Sequence, residues 1–175
     1  MKKTFLFFAL IAATQSFAQK WTPTTGTAKF YIKMLGVGID GSFKGIKANI
    51  DFNPENPVTS TIFTSVDAAT VFTDNSLRDT HIKEKPEFFE VAKYPTVSLK
   101  STAIVKNGTS YVGTFNFTIK NITKSVKIPF TFTQTGDKGT FVANFEINRK
   151  EWNFGGNTLG MSDKVKLNLV LNVQQ

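Results

Sequence analysis

The sequence has no cysteine and only one histidine, His81, in 175 residues. The missing cysteine excludes a disulfide scaffold, a thiolate metal site and a cysteine nucleophile. A single histidine excludes a multi-histidine metal centre and makes a histidine relay hard to assemble. Acidic residues are scarce, 13 Asp and Glu against 21 Lys and Arg, for a formal net charge of +8. The positive charges are scattered (Lys29, Lys33, Lys47, Lys100, Lys106, Lys120, Lys138, Lys166), with no run of five or six. That reads as a solvated surface with at most weak attraction to anionic membranes, and no nucleic-acid stripe is expected. A membrane-spanning run is missing too. Thr4 to Ala13 is apolar but far shorter than the roughly 20 residues a bilayer requires. With Lys2 and Lys3 before it and Ser16-Phe17-Ala18 after it, it has the pattern of a secretory signal peptide. We expect cleavage near Ala18, a single domain over 19–175, and a periplasmic or secreted location.

What the chain has in abundance is phenylalanine, 18 residues in all, and alternation. Successive side chains of a strand point to opposite faces, so a period of two marks a half-buried strand. It runs through Ala28–Met34, Ile46–Phe52, Val58–Val66, Thr96–Lys100, Tyr111–Ile119, Val126–Thr133, Phe141–Asn148 and Val165–Val173. Turn residues separate many of these segments: Asn53-Pro54, Asn107-Gly108, Lys120-Asn121 and Gly136–Gly139. One helical island lies between the third and fourth strands. Asp74 or Asn75 can cap a turn through Leu77, Arg78 and His81, and Pro86 can start a second through Ala92, stopped by Pro95.

Eight strands with one apolar face can bury it in a two-sheet sandwich or a closed barrel. Short connections favour an all-β, eight-stranded antiparallel barrel, which also removes exposed edges. Its inner rows would carry Phe30, Ile32, Met34, Phe43, Ile50, Phe52, Phe115, Phe117, Phe130, Phe132, Phe141, Phe145, Leu167 and Leu169. An interior of this size is either filled by its own side chains or holds one small ligand, and the pattern alone leaves both open. Arg149 shares parity with Phe141, Phe145 and Ile147, so it should point inward at a barrel end and meet an anionic partner, a protein carboxylate or a ligand head group. Arg78, Asp79 and His81 form the most motif-like polar cluster, either a head-group site or a latch tying the helix to the barrel. No nucleophile or metal signature accompanies His81, which argues against an enzyme. Gly36-x-Gly38 and Gly155-Gly156 lack the strand–helix context of phosphate loops. Trp21 and Trp152 read as core aromatics.

Several segments resemble the YceI-like family. Phe30–Val37 followed by Gly41-Ser42-Phe43-Lys44-Gly45 is similar to its opening. Arg78-Asp79-Thr80-His81-Ile82, Phe88-Phe89 and Tyr94-Pro95 resemble its RDxHL, FF and YP segment. Thr118–Lys124 resembles its LTIxGxTK hairpin, and Ile147-Asn148-Arg149, Trp152, Phe154 and Ser162–Val165 its closing strands. The resemblance covers almost all of 19–175. It implies an exported lipocalin-like barrel that holds a polyisoprenoid or similar long-chain amphiphile in an apolar tunnel, without established catalysis. The chain departs from the family pattern at Met34, where His is frequent, and near Phe115 and at Asn121, where Gly is usual. The expected ligand is thus an isoprenoid, quinone-like lipid or fatty amphiphile, with no cofactor or metal, and a homodimer is a further candidate assembly. The competing expectation is a structural or stress-related envelope module with a filled barrel.

Overall fold

The computed structural model describes residues 19–175. The signal-peptide expectation, residues 1–18, lies outside the described residues. Nine antiparallel strands and one α-helix follow in order: β1 (Gln19–Met34), β2 (Val37–Phe43), β3 (Lys47–Phe52), β4 (Thr61–Asp67), α1 (Ser76–Glu84), β5 (Thr96–Asn107), β6 (Ser110–Ile119), β7 (Ile122–Thr135), β8 (Lys138–Asn148) and β9 (Lys164–Gln174). From β3 to β9 each strand pairs with the next, and β1 pairs with both β9 and β3. The ring closes with eight strands, and α1 is inserted between its third and fourth members, as the alternation predicts.

The ninth strand, β2, folds back on the far half of β1, from Ala28↔Phe43 to Met34↔Val37. Period-two reading misses it because Gly41 breaks its short apolar row (Val37, Ile39, Phe43), while Gly38 stands on the other face. Those glycines are needed for packing. A Cβ on Gly38 would meet the Tyr31 ring, and one on Gly41 would collide with the Phe30 ring. Aromatic side chains of β1 therefore lie over bare backbone on β2.

Three other boundaries differ from the sequence reading. The first strand begins nine residues earlier, at Gln19, because Trp21 is an inward residue, buried and donating its indole N–H to the Phe52 carbonyl at 3.1 Å. Val58 is exposed in a 3₁₀ turn (Pro57–Thr59), and the strand starts after it. Pro86–Ala92 forms successive turns and no second helix, and Glu90 takes a left-handed φ of 51°. In the β6–β7 hairpin, the positive φ falls on Lys120 (56°). A Gly-to-Asn change at position 121 therefore leaves the turn intact.

The barrel interior divides along its axis. At one end, Phe52 has no exposed surface and sits edge-on to Tyr111, Phe130, Phe132 and Phe141, with ring centroids 5.0–6.0 Å apart. Trp21 closes on Phe132 at 5.0 Å. Edge-to-face aromatic packing at these distances is the favoured arrangement. A loop seals this end from outside: the Asn53 carboxamide oxygen accepts from the Glu55 and Asn56 amides, and Ser60 Oγ accepts from the Asn53 amide.

Candidate functional site

The other half of the barrel is not filled. A cavity of about 140 Å³ lies beneath α1, the 86–93 turns and the 153–161 loop, with an apolar wall. Phe30, Ile32, Met34 and Ile39 supply one side, Phe117, Ile119, Ile147, Val165 and Leu167 the other, and Ile82, Phe88, Phe89, Phe154 and Met161 the roof. A second cavity of about 100 Å³ shares Phe43, Val97, Phe117 and Leu167 with the first. A third, of about 70 Å³, shares Thr64, Leu99, Leu169 and Leu171 with the second. The three form a tapering series that ends at the aromatic plug.

This series separates the residues expected to line a tunnel. Phe30, Ile32, Met34, Phe43, Phe117, Phe145, Leu167 and Leu169 border the first two cavities. Ile50, Phe115, Phe130 and Phe141 touch only the third and narrowest. Phe52 and Phe132 border none of the three, because their rings are stacked into the plug. Phe115 narrows its own surroundings: its ring lies where a side chain on Gly113 would be. Sequence reasoning overlooked the roof, Phe88, Phe89, Phe154 and Met161. They lie in irregular segments where no period marks the inward face. The Phe88-Phe89 pair was the available signal.

The polar residues divide just as sharply. Arg149 directly follows β8, opens a 3₁₀ turn (Arg149–Trp152) and is 2% exposed. Nε donates to the Ser162 carbonyl at 2.9 Å. Nη1 donates to the carbonyls of Phe154 (2.7 Å) and Gly156 (2.9 Å). Nη2 donates to the Met161 carbonyl (3.2 Å) and to Asp163 Oδ1 (3.3 Å). A guanidinium has five N–H groups, and all five are used. The inward, barrel-end position expected of Arg149 is observed, and its partner is the chain itself. It borders the first cavity as a latch, holding the 153–163 loop as a roof, with no donor left for a ligand.

Arg78 is different. Nε donates to Thr73 Oγ1 at 2.7 Å and Nη2 to the Thr73 carbonyl at 2.5 Å. The Thr73 hydroxyl in turn donates to Asp79 Oδ1 at 2.5 Å. The two charges are therefore joined through a threonine and do not touch directly. Asn75 caps the helix by accepting from the Arg78 amide at 2.9 Å, and Asp79 is buried in its first turn. Arg78 is only half-buried, borders the first cavity and keeps N–H groups beyond its two bonds to Thr73. His81 stands exposed outside this cluster and borders no cavity. Its backbone carbonyl accepts from the Lys85 amide at 3.1 Å.

A family model for the YceI-like domain matches residues 20–173. The chain belongs to the YceI-like family. A UPF0312 protein of Yersinia pestis (strain Pestoides F) and one of Yersinia enterocolitica are each 30% identical over 153 residues, which covers 83% of this chain and 78% of the relative. Among solved structures, BcnA of Burkholderia cenocepacia superposes with a TM-score of 0.79 at 25% identity, over 84% of this chain and 95% of BcnA. A polyisoprenoid-binding domain from Saccharophagus degradans has the same fold, with a TM-score of 0.69 at 12% identity, over 91% of this chain and 99% of that domain. Both support the antiparallel barrel built here from its registers.

Proposed function

We propose that this YceI-like barrel is an exported, non-catalytic binding protein that takes the tail of a polyisoprenoid, quinone-like lipid or similar long-chain amphiphile into its tapering bore. The observation that carries this reading is the apolar series of three cavities ending at a plug. An engineered apolar cavity of about 150 Å³ stays dry and binds benzene, so the first cavity alone suits one ring-sized or branched five-carbon group. Joined by rotation of the side chains between them, the three reach roughly 300 Å³, the lower range of small-molecule sites. Each buried methylene contributes about 0.8 kcal/mol, so a five-carbon unit contributes roughly 3–4 kcal/mol as an upper figure. A few units then reach micromolar affinity after association costs. A branched, flexible chain also suits Met34 and Met161, whose thioethers adapt to irregular shapes.

The taper gives the ligand a direction. Its tail points toward the plug and its head stays under α1, where Arg78 retains donors that can meet an anionic or hydroxyl head group. The name of the Saccharophagus degradans neighbour supports the ligand class, and the leader-like residues 1–18 support export. Native mass spectrometry of the gently purified protein, with and without added medium-chain prenols and quinones, tests the reading. A stoichiometric hydrophobic adduct supports it. A clean unliganded mass with no uptake would instead favour a structural module whose residual voids are packing defects.

A further inference from the structure

Three of the four most exposed large aliphatic side chains cluster together; the fourth, Val58, stands at the plugged end. Leu159 is 89% exposed, Leu35 74% and Val37 67%. All three stand at the cavity end of the barrel, on two loops that touch. Leu35 occupies the β1–β2 turn with a φ of 50°, and its amide donates to the Gly160 carbonyl at 2.8 Å. A Cβ on Gly160 would collide with the Leu35 side chain, so only glycine lets the tips approach this closely. The Ser162 amide donates to the Lys33 carbonyl at 2.9 Å, and Met34 bridges Met161. The two tips are thus one hydrogen-bonded unit, anchored from beneath by Arg149.

The apolar surface continues inward. Leu35 is followed down the barrel by Met34, and Leu159 by Met161, and both methionines border the first cavity. Neither 32–39 nor 152–162 contains an Asp or Glu, Lys33 is exposed beside the tip, and residues 19–175 carry +6, the +8 of the full chain less Lys2 and Lys3. The carboxylates that flank these loops are Asp40, Glu151 and Asp163, the last paired with Arg149 and Lys150. Exposed aliphatic tips that carry no carboxylate themselves, set beside Lys33 on a chain of net positive charge, match an anionic bilayer surface: apolar tips enter the acyl boundary while cations remain among the head groups. A bore that takes a lipid tail also needs a route from bilayer to cavity that avoids water, and this rim adjoins the cavity through Met34 and Met161.

We infer that the Leu35, Val37 and Leu159 rim is a membrane-docking surface that seats the cavity end of the barrel on anionic lipid. The inference rests on the lipid-binding reading above, and its test is separable from it. The chain has no cysteine, so single-cysteine variants can be labelled cleanly. Leu159→Cys carrying an environment-sensitive dye should shift to the blue on vesicles of phosphatidylethanolamine and phosphatidylglycerol, while Val58→Cys, at the plugged end, should not. In flotation with the same vesicles, the triple variant Leu35→Ser, Val37→Ser, Leu159→Ser should partition on the order of a hundredfold less than the parent. Its uptake of a short, water-soluble prenol in solution should be unchanged, because no substituted residue borders a cavity. Equal flotation of parent and variant, equal dye shifts at both ends, or a parent that stays unbound would overturn docking whatever the ligand result. So would a concentration-dependent dimer abolished by the triple variant, which would assign the rim to a second copy of the chain. Docking without prenol uptake would leave the rim standing and sink the ligand reading alone.

Discussion

The two ends of the barrel are closed by different physics. The plugged end is held by ring against ring around Phe52, sealed by an Asn53 and Ser60 loop. The cavity end is roofed by irregular loops whose Phe88, Phe89 and Phe154 rings touch one another and Phe43, and which are fastened by buried polar side chains, Arg149 and the Thr73–Asp79 pair. Dispersion fixes a region everywhere it touches and leaves no space. Directed hydrogen bonds fix a loop at a few points and can span an empty volume. A cavity can therefore persist beneath the second end and not beside the first.

The largest effect should come from the plug. Phe52→Ala removes a ring with no exposed surface and four aromatic neighbours, at a cost of about 3–5 kcal/mol. Denaturant unfolding would measure it. Because Phe52 borders none of the three cavities, uptake of a lipophile by the folded fraction should survive. Loss of uptake without loss of stability would contradict the division between the ends.

Arg149→Ala should follow, at about 3 kcal/mol, because it leaves four carbonyls beneath the loop without their donors. Arg149→Lys should recover little of this, since an ammonium has three donors and no planar fork. Limited proteolysis should then cut within 155–160 first. If the variant keeps the parent's melting temperature and resists cleavage there, the latch assignment is wrong.

Phe117→Ala should cost less than Phe52→Ala, about 2–3 kcal/mol, although both rings are buried. The Phe117 ring borders the first two cavities, so one of its sides already lacks packing partners. Its removal should merge those cavities and increase the length of prenol retained in native mass spectra. A cost equal to that of Phe52→Ala, with no change in ligand length, would indicate that the cavities close in solution.

Much of this was legible in the sequence, for reasons that also mark the limit. Alternation exposes strands wherever side chains do the packing, so all eight ring strands were placed with little error at their cores. It failed at β2, where Phe30 and Tyr31 pack over glycine backbone and Gly41 breaks the strand's short apolar row. It also failed at Trp21, whose neighbours Thr22, Thr24 and Thr25 disguise an inward residue. Arg149 was legible by parity, because a charge on an inner row must be paired. Parity cannot distinguish a plug from a cavity wall, since Phe52 and Phe117 both point inward. What separates them is the number of rings meeting at one level, which depends on register between strands distant in sequence.

The smallest effect sharpens the comparison through pH. The Tyr111 phenol is held above its usual range, first by burial, which disfavours the phenolate, and then by the nearby negative charge of Glu55. The folded state therefore keeps this proton after the unfolded chain has released it. Stability from the neutral phenol is fully present below about pH 10, the ordinary tyrosine value, and falls as pH rises beyond it. The hydroxyl donates to the Pro54 carbonyl at 3.1 Å and fastens the sealing loop to the plug. Tyr111→Phe should lose about 1 kcal/mol at neutral pH for that bond. Above pH 10 the variant lacks the titrating group, so its stability should fall less steeply and the gap to the parent should narrow. Unfolding curves from pH 7 to 11 would show this convergence. Curves that stay parallel would mean that the phenol ionises as readily in the folded barrel as in the open chain, and that the plugged end admits water after all.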